Sequence, residues 1–288
     1  MIPSQNIIAW GNRAPWAEQR QIEQDLIISR VIIELFNDTY LRTQLRFRGG
    51  TALNKLHFPE PVRYSEDIDL VRTTRGEIKP ILRRIRELLE PWLGRASFDR
   101  SSVAPKLRFQ VEAEDGTAPL RLKVEINTRE TNAFDEPRSF SHSADNPWFS
   151  GTAAVASFSH EEMLATKLRA LLQRNKGRDL FDLSHALSVF SSLHEERVTE
   201  MFAQYLALQD QTVSRAEAEE RMLAKLINPG FLADVRPLLT ADAAERLTDG
   251  AMKSAFAMVF NRLISKIPGR PWARTPEFAD RFELPLSS

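Results

Sequence analysis

Two aspartates one residue apart, Asp67 and Asp69, stand in the run Asp67-Ile68-Asp69-Leu70-Val71. In a strand, residues two apart share a face. Both carboxylates then point one way while Ile68 and Leu70 point into a core. Two carboxylates on one strand face can hold hard cations, which in turn hold phosphates. Upstream, Gly49-Gly50-Thr51 separates a strand-like run, Leu45 to Arg48, from a helical run, Ala52 to Leu56. Glycines let the backbone turn sharply and approach a ligand closely. Thr51 is a candidate N-cap, and free N–H groups at a helix start favour phosphate oxygens. Taken singly, each feature has a plainer reading: Gly-Gly is a turn, and Asp-x-Asp is a solvated strand edge.

Further along, residues 106–113 and 120–127 read as strands joined by a turn at Asp115-Gly116. In the second run Leu122, Val124 and Ile126 share one face, and Arg121, Lys123, Glu125 and Asn127 share the other. Glu125 therefore presents a third carboxylate, or is an ordinary exposed strand residue. Ser159-His160-Glu161-Glu162 has the pattern of a capping box and starts a helix. Lys167 falls on that helix's apolar face, where lysine is unusual and commonly meets a buried carboxylate or a bound anion. From Met163 to Arg178 there are basic residues and no acidic ones. Asp179 to Leu183 opens the next helix, with Asp179 a candidate cap and Asp182 spaced for an ion pair to Arg178. Lys79, Arg83, Arg84 and Arg86 line one helix face, either a solvated surface or one edge of a polyanion groove.

Gly49-Gly50-Thr51-Ala52-Leu53 followed by Arg63-Tyr64-Ser65-Glu66-Asp67-Ile68-Asp69-Leu70 resembles the first motif of the AbiEii/AbiGii toxin family. That family belongs to the DNA polymerase β-like nucleotidyltransferase superfamily. Lys167 and the string Arg178-Asp179-Leu180-Phe181-Asp182-Leu183 resemble its later motifs. The resemblance implies a nucleotidyltransferase toxin of a toxin–antitoxin system that adds nucleotides from an NTP to the tRNA 3′ end, blocks translation and is restrained by a cognate antitoxin. It implies Asp67 and Asp69 as Mg²⁺ ligands, Gly49, Gly50 and Thr51 around phosphate oxygens, and Arg63 and Ser65 as supports beside the pair. Lys167 would contact the triphosphate, Asp182 would complete the site, and Glu125 would assist a metal or act as base. Other acceptors, a protein hydroxyl or a small molecule, and an inactive binding protein of the same fold are the alternatives.

The elements that must position these residues make an α/β (α+β) protein. A small mixed sheet from residues 45–48, 67–72, 106–113 and 120–127 forms a nucleotidyltransferase core over residues 1–158. A helical C-terminal part, 159–288, is expected to close the cleft. A helix over 18–38 covers the sheet, a helix from Gly76 ends at Pro91, and 128–158 is a long loop with one short strand. Residues 1–17 and 268–288 read as irregular, and Pro229 and Gly250 punctuate the late helices. With 288 residues, 42% hydrophobic and 27% charged, the chain has ample length for a core. Its 39 basic and 39 acidic residues cancel, so nucleic-acid binding needs a local patch. The absence of cysteine excludes disulfides and thiolate metal sites. No signal pattern or membrane-length apolar run is present, so a cytoplasmic protein without membrane contact is expected.

Overall fold

Alternation of apolar and charged residues builds the central sheet. In this computed structural model, residues 2–99, 101, 103–228 and 230–286 are described. Clustering of contacts divides the chain into two compact units, Met1–Ser159 and His160–Ser288. The first unit opens with α1 (Ser4–Trp10), α2 (Gln19–Asn37) and α3 (Leu41–Gln44), followed by β1 (Leu45–Arg48) and α4 (Gly49–Ala52). A π turn, Leu53–His57, extends α4. Then come β2 (Asp67–Arg72), α5 (Lys79–Leu93), β3 (Ser97–Asp99), β4 (Lys106–Val111), β5 (Leu120–Asn127), β6 (Arg138–Ala144) and β7 (Gly151–Ser157).

The sheet runs in the order β1-β2-β5-β4-β3, with β2 and β5 parallel and the other pairs antiparallel. Its apolar face carries Phe47, Ile68, Leu70, Leu107, Phe109, Leu122, Val124 and Ile126, all essentially inaccessible. Helices α2 and α5 supply partners for this core through Leu26, Ile28, Ile32, Ile81, Ile85 and Leu89. Each such burial stabilises by roughly 1.5–3 kcal/mol. The period of two leaves every charged strand residue considered above on the opposite face.

Expectations about the first unit need correction at several points. Residues 1–17 contain α1, whose Ile7 and Trp10 are buried. Helix α5 begins at Lys79 and passes through Pro91. A proline three residues from a helix end removes one late hydrogen bond only, and the stop comes at Gly94, whose φ of 82° suits glycine. In 128–158 the one expected short strand, over 153–158, is β7, but it is paired in a hairpin with an unexpected β6, and β7 packs on α2 and β1. Strand β3 was not expected either.

The second unit is helical: α6 (His160–Gln173), α7 (Gly177–Val189), α8 (Glu195–Ala207), α9 (Arg215–Ala224), α10 (Gly230–Ala233), α11 (Ala241–Arg246), α12 (Asp249–Arg262) and α13 (Thr275–Phe282). Residues 241–262 divide into α11 and α12, with Gly250 inside the first turn of α12, and the expected irregular tail contains α13. Ser214 and Glu217 form a reciprocal capping box at α9. Pro229 lies outside the described residues. Among the described residues no helix is long and apolar enough to cross a membrane.

Candidate active site

The parallel pairing of β2 with β5 sets Asp67 opposite Lys123 and Asp69 opposite Glu125. Antiparallel pairing sets Arg48 opposite Asp69 on one side and Lys106 opposite Glu125 on the other. A row Arg48, Asp69, Glu125, Lys106 therefore crosses four strands on the face away from the core. Lys123 Nζ lies 3.0 Å from Asp67 Oδ2 and 3.2 Å from Glu125 Oε2. Lys106 Nζ lies 3.5 Å from Glu125 Oε2. Burial, then the Asp67 carboxylate, pushes Asp69 above the usual carboxylate range. Burial acts to lower the Lys123 ammonium, and the nearby Asp67, Asp69 and Glu125 carboxylates overcome this and raise it. Arg48 is engaged beyond the row, donating from Nη1 to Glu130 Oε2 at 2.6 Å.

Gly49 shows why a glycine pair precedes this face. Its φ is 87°, and a Cβ there would collide with the Asp69 carboxylate. At Gly50 a Cβ would come 2.5 Å from Arg63 Nη2. The carboxylate and the guanidinium thus rest directly on the backbone of the turn. Arg63 is buried, and its Nη1 donates to the Tyr64 carbonyl at 2.9 Å. Asn54 holds the Pro-broken connection: its Oδ1 accepts from the backbone N–H of Val62 at 3.3 Å and of Arg63 at 3.2 Å.

Thr51 is 1% exposed, and its Oγ1 lies 2.5 Å from the Asp67 carbonyl and 2.8 Å from Ser65 Oγ. A carbonyl only accepts, so Thr51 gives its one hydroxyl proton there and Ser65 donates to Thr51. This relay ties α4 to the start of β2 and leaves the backbone N–H, not the hydroxyl, as the group at Thr51 suited to a phosphate.

Beside the relay lies a cavity of about 550 Å³ with Arg13, Trp16, Lys55, Arg63, Ser65 and His142 in its wall. Asp25 at its base accepts from Trp10 Nε1 at 2.8 Å, Trp16 Nε1 at 3.1 Å and Lys55 Nζ at 2.8 Å. The tryptophans of the N-terminal stretch thus pack back onto the body through Asp25, whose carboxylate is ion-paired with Lys55. Burial, reinforced by Lys55 and Arg13, pushes His142 down to about 3, so it is neutral.

The second unit contains its own lysine between carboxylates. Lys167 Nζ lies 3.2 Å from Asp179 Oδ1 and 2.9 Å from Asp182 Oδ2. Both carboxylates are inaccessible and Lys167 is nearly so. Arg174 donates to both oxygens of Asp179, from Nε at 2.7 Å and Nη2 at 2.8 Å. Burial would raise Asp179, but Lys167 and Arg174 hold it down to about 2.

The sheet thus brings Asp67, Asp69 and Glu125 to one face, with Gly49, Gly50, Thr51, Arg63 and Ser65 around its edge. Lys167 and Asp182 belong to the second unit and contact each other. Lys123 was read only as a member of the polar face, although its spacing of two from Glu125 was the signal. Asp179 was read as a cap, yet it is the centre of its cluster, and Lys176 holds the cap position of α7. Among the described residues no three His, Asp or Glu side chains converge as a ready-made metal cage.

The family described as nucleotidyl transferase AbiEii toxin, type IV TA system, matches residues 32–262. No curated protein matches the sequence. Among solved structures, the chain is similar to MenT4, a nucleotidyltransferase toxin from Mycobacterium tuberculosis H37Rv, with TM-score 0.59, 18% identity and all of both chains covered. It is also similar to JHP933 from Helicobacter pylori, with TM-score 0.53 and 16% identity over 93% of this chain and 95% of that one. These structures share the fold, and the family match spans most of the chain, including both lysine–carboxylate clusters. The chain therefore belongs to the AbiEii family of nucleotidyl transferase toxins of type IV toxin–antitoxin systems, enzymes that take a nucleoside triphosphate as substrate and are paired with a cognate antitoxin.

Proposed function

We propose that the protein transfers a nucleoside monophosphate from an NTP to RNA, at the tRNA 3′ end, with Mg²⁺, and so blocks translation. One observation carries the reading: Asp67 and Asp69 share a sheet face with the Gly49-Gly50 turn, and Asp69 rests on Gly49. Mg²⁺ is usually held by one or two carboxylates together with substrate phosphates. A pair that already holds an ammonium at Asp67 fits such a cation. When bound, Mg²⁺ neutralises charge on the triphosphate and on the leaving pyrophosphate.

The chain's own groups position and move charge. First-turn N–H groups of Gly49, Gly50 and Thr51 face phosphate oxygens. Arg63 and Ser65 brace that turn, and the adjoining cavity is of the size that nucleotides occupy. The acceptor hydroxyl oxygen bonds to the α-phosphorus while the bond to the β-phosphate oxygen breaks and pyrophosphate leaves. Glu125, partly exposed, accepts the hydroxyl proton. Within the second unit Lys167 spends two of its three N–H groups on Asp179 and Asp182. Its match to the family's later motif is what supports proposing it as the triphosphate contact, with Asp182 beside it.

An RNA acceptor needs local basic groups on a neutral chain. Arg83, Arg84 and Arg86 are poor candidates, being paired with Glu87, Asp38 and Glu90. Arg174 is committed to Asp179. Lys176 is exposed and Arg178 partly so, and these two are proposed to meet RNA phosphates. Labelled nucleotides incubated with total RNA and total protein should mark RNA of tRNA length. Lys176→Glu with Arg178→Glu should raise the acceptor KM and reduce the salt slope by about 0.7–0.9 per lost contact. Label in protein, or RNA labelling indifferent to salt and to the reversals, contradicts the assignment.

A further inference from the structure

The ammonium of Lys123 sits where charge is most needed on the site face. It touches Asp67 at 3.0 Å and Glu125 at 3.2 Å, and the parallel register holds it directly across from Asp67. Asp69 is fixed on the Gly49 backbone. Asp67 has no such seat, and its side chain is 33% exposed. The lysine side chain is 25% exposed, so its long stem can carry the charged end into water. Glu125 has a second cation, Lys106, at 3.5 Å, and it does not need Lys123 to stay compensated.

We propose that Lys123 is an exchangeable counter-ion of the carboxylate pair: its ammonium occupies Asp67 until a divalent cation arriving with the nucleotide displaces it. The inference rests on the metal role proposed above for Asp67 and Asp69. A cation arriving alone must compete with an ammonium already in place. A cation arriving with a triphosphate brings anionic oxygens that compensate both it and the displaced lysine. Lys123 thus acts as a positioning residue that suppresses metal binding without substrate. It differs from Lys106, which contacts Glu125 but not Asp67 among the described contacts.

The test is calorimetric titration of the folded protein with Mn²⁺, with and without a non-hydrolysable NTP. Lys123→Gln should bind Mn²⁺ alone on the order of thirtyfold tighter, the effect of removing a unit charge ~4 Å from a divalent cation under full water screening. The gain should shrink when nucleotide is present. Lys106→Gln should give a smaller gain, and Lys123→Arg should restore weak binding. Unchanged or weaker Mn²⁺ binding in Lys123→Gln, or an equal gain in Lys106→Gln, overturns the exchange while leaving the metal role intact. Absence of Mn²⁺ binding in wild type with nucleotide, and in every variant, overturns both.

Discussion

Each unit places one lysine between two carboxylates, and the two clusters differ in burial and in charge balance. In the first, Lys123 meets Asp67 and Glu125, with side-chain exposures of 25%, 33% and 26%. In the second, Lys167 meets Asp179 and Asp182, with exposures of 7%, 0% and 0%. The buried cluster is balanced by Arg174, so two cations face two anions. The open face has Asp69 as a further carboxylate and keeps an excess of negative charge. Carboxylate chemistry follows: Asp69 is pushed up by burial and its like-charged neighbour, while Asp179 is pulled down by its cations. The same residue types therefore make an open, negatively charged face in one place and a buried, charge-balanced network in the other. Water access decides between them, since exposed pairs exchange cheaply and buried ones do not.

The sharpest way to break this contrast is to remove each lysine. Lys167→Met leaves two buried carboxylates short of a cation and should destabilise by about 3–5 kcal/mol in urea unfolding. Acid probes the same cluster more gently. Asp179 is depressed from 3.8 to about 2, so its contribution is complete above the unfolded value and is lost as pH falls from about 4 toward 2. The loss should be about 2 kcal/mol and should vanish in Asp179→Asn. Lys123→Met, by contrast, should change stability by less than about 1 kcal/mol. Equal costs for the two lysine variants would erase the distinction.

The site face was legible because it depends on a period of two. Alternation assigned Asp67, Asp69 and Glu125 to one side, whereas the Gly49-Gly50 pair reads as a turn approaching a ligand and the close approach the structure shows is that of the Asp69 carboxylate. The inward position of Lys167 was visible from helical spacing, and its meeting with a carboxylate followed. What the sequence hid were long-range pairings. Nothing local announces that Arg48 reaches Glu130 or that Trp10, Trp16 and Lys55 converge on Asp25. Strand β7 answers to the one short strand expected in 128–158, but its partner β6 and the hairpin they form were hidden by composition. Arg138–Ala144 and Gly151–Ser157 are rich in Ser and Ala, so their alternation lacks large apolar residues, yet His142, Ala153 and Val155 are buried. Ser157 is buried too, donating to the Phe47 carbonyl at 2.7 Å. Strand β3 is three residues long and exposed, too short for any periodic signal.

The central claim is that Asp67 and Asp69 carry nucleotidyl transfer on the face built by β2 and β5. The direct measurement is the rate of labelled nucleotide transfer in Asp69→Asn, with its melting temperature measured alongside. Asp69→Asn keeps the shape against Gly49 and removes only the charge. The account predicts a loss of at least about 10²-fold in kcat, the scale for deleting one electrostatic group from a transition-state site, with no loss of melting temperature. Transfer at the wild-type rate by folded Asp69→Asn at ordinary Mg²⁺ would contradict it.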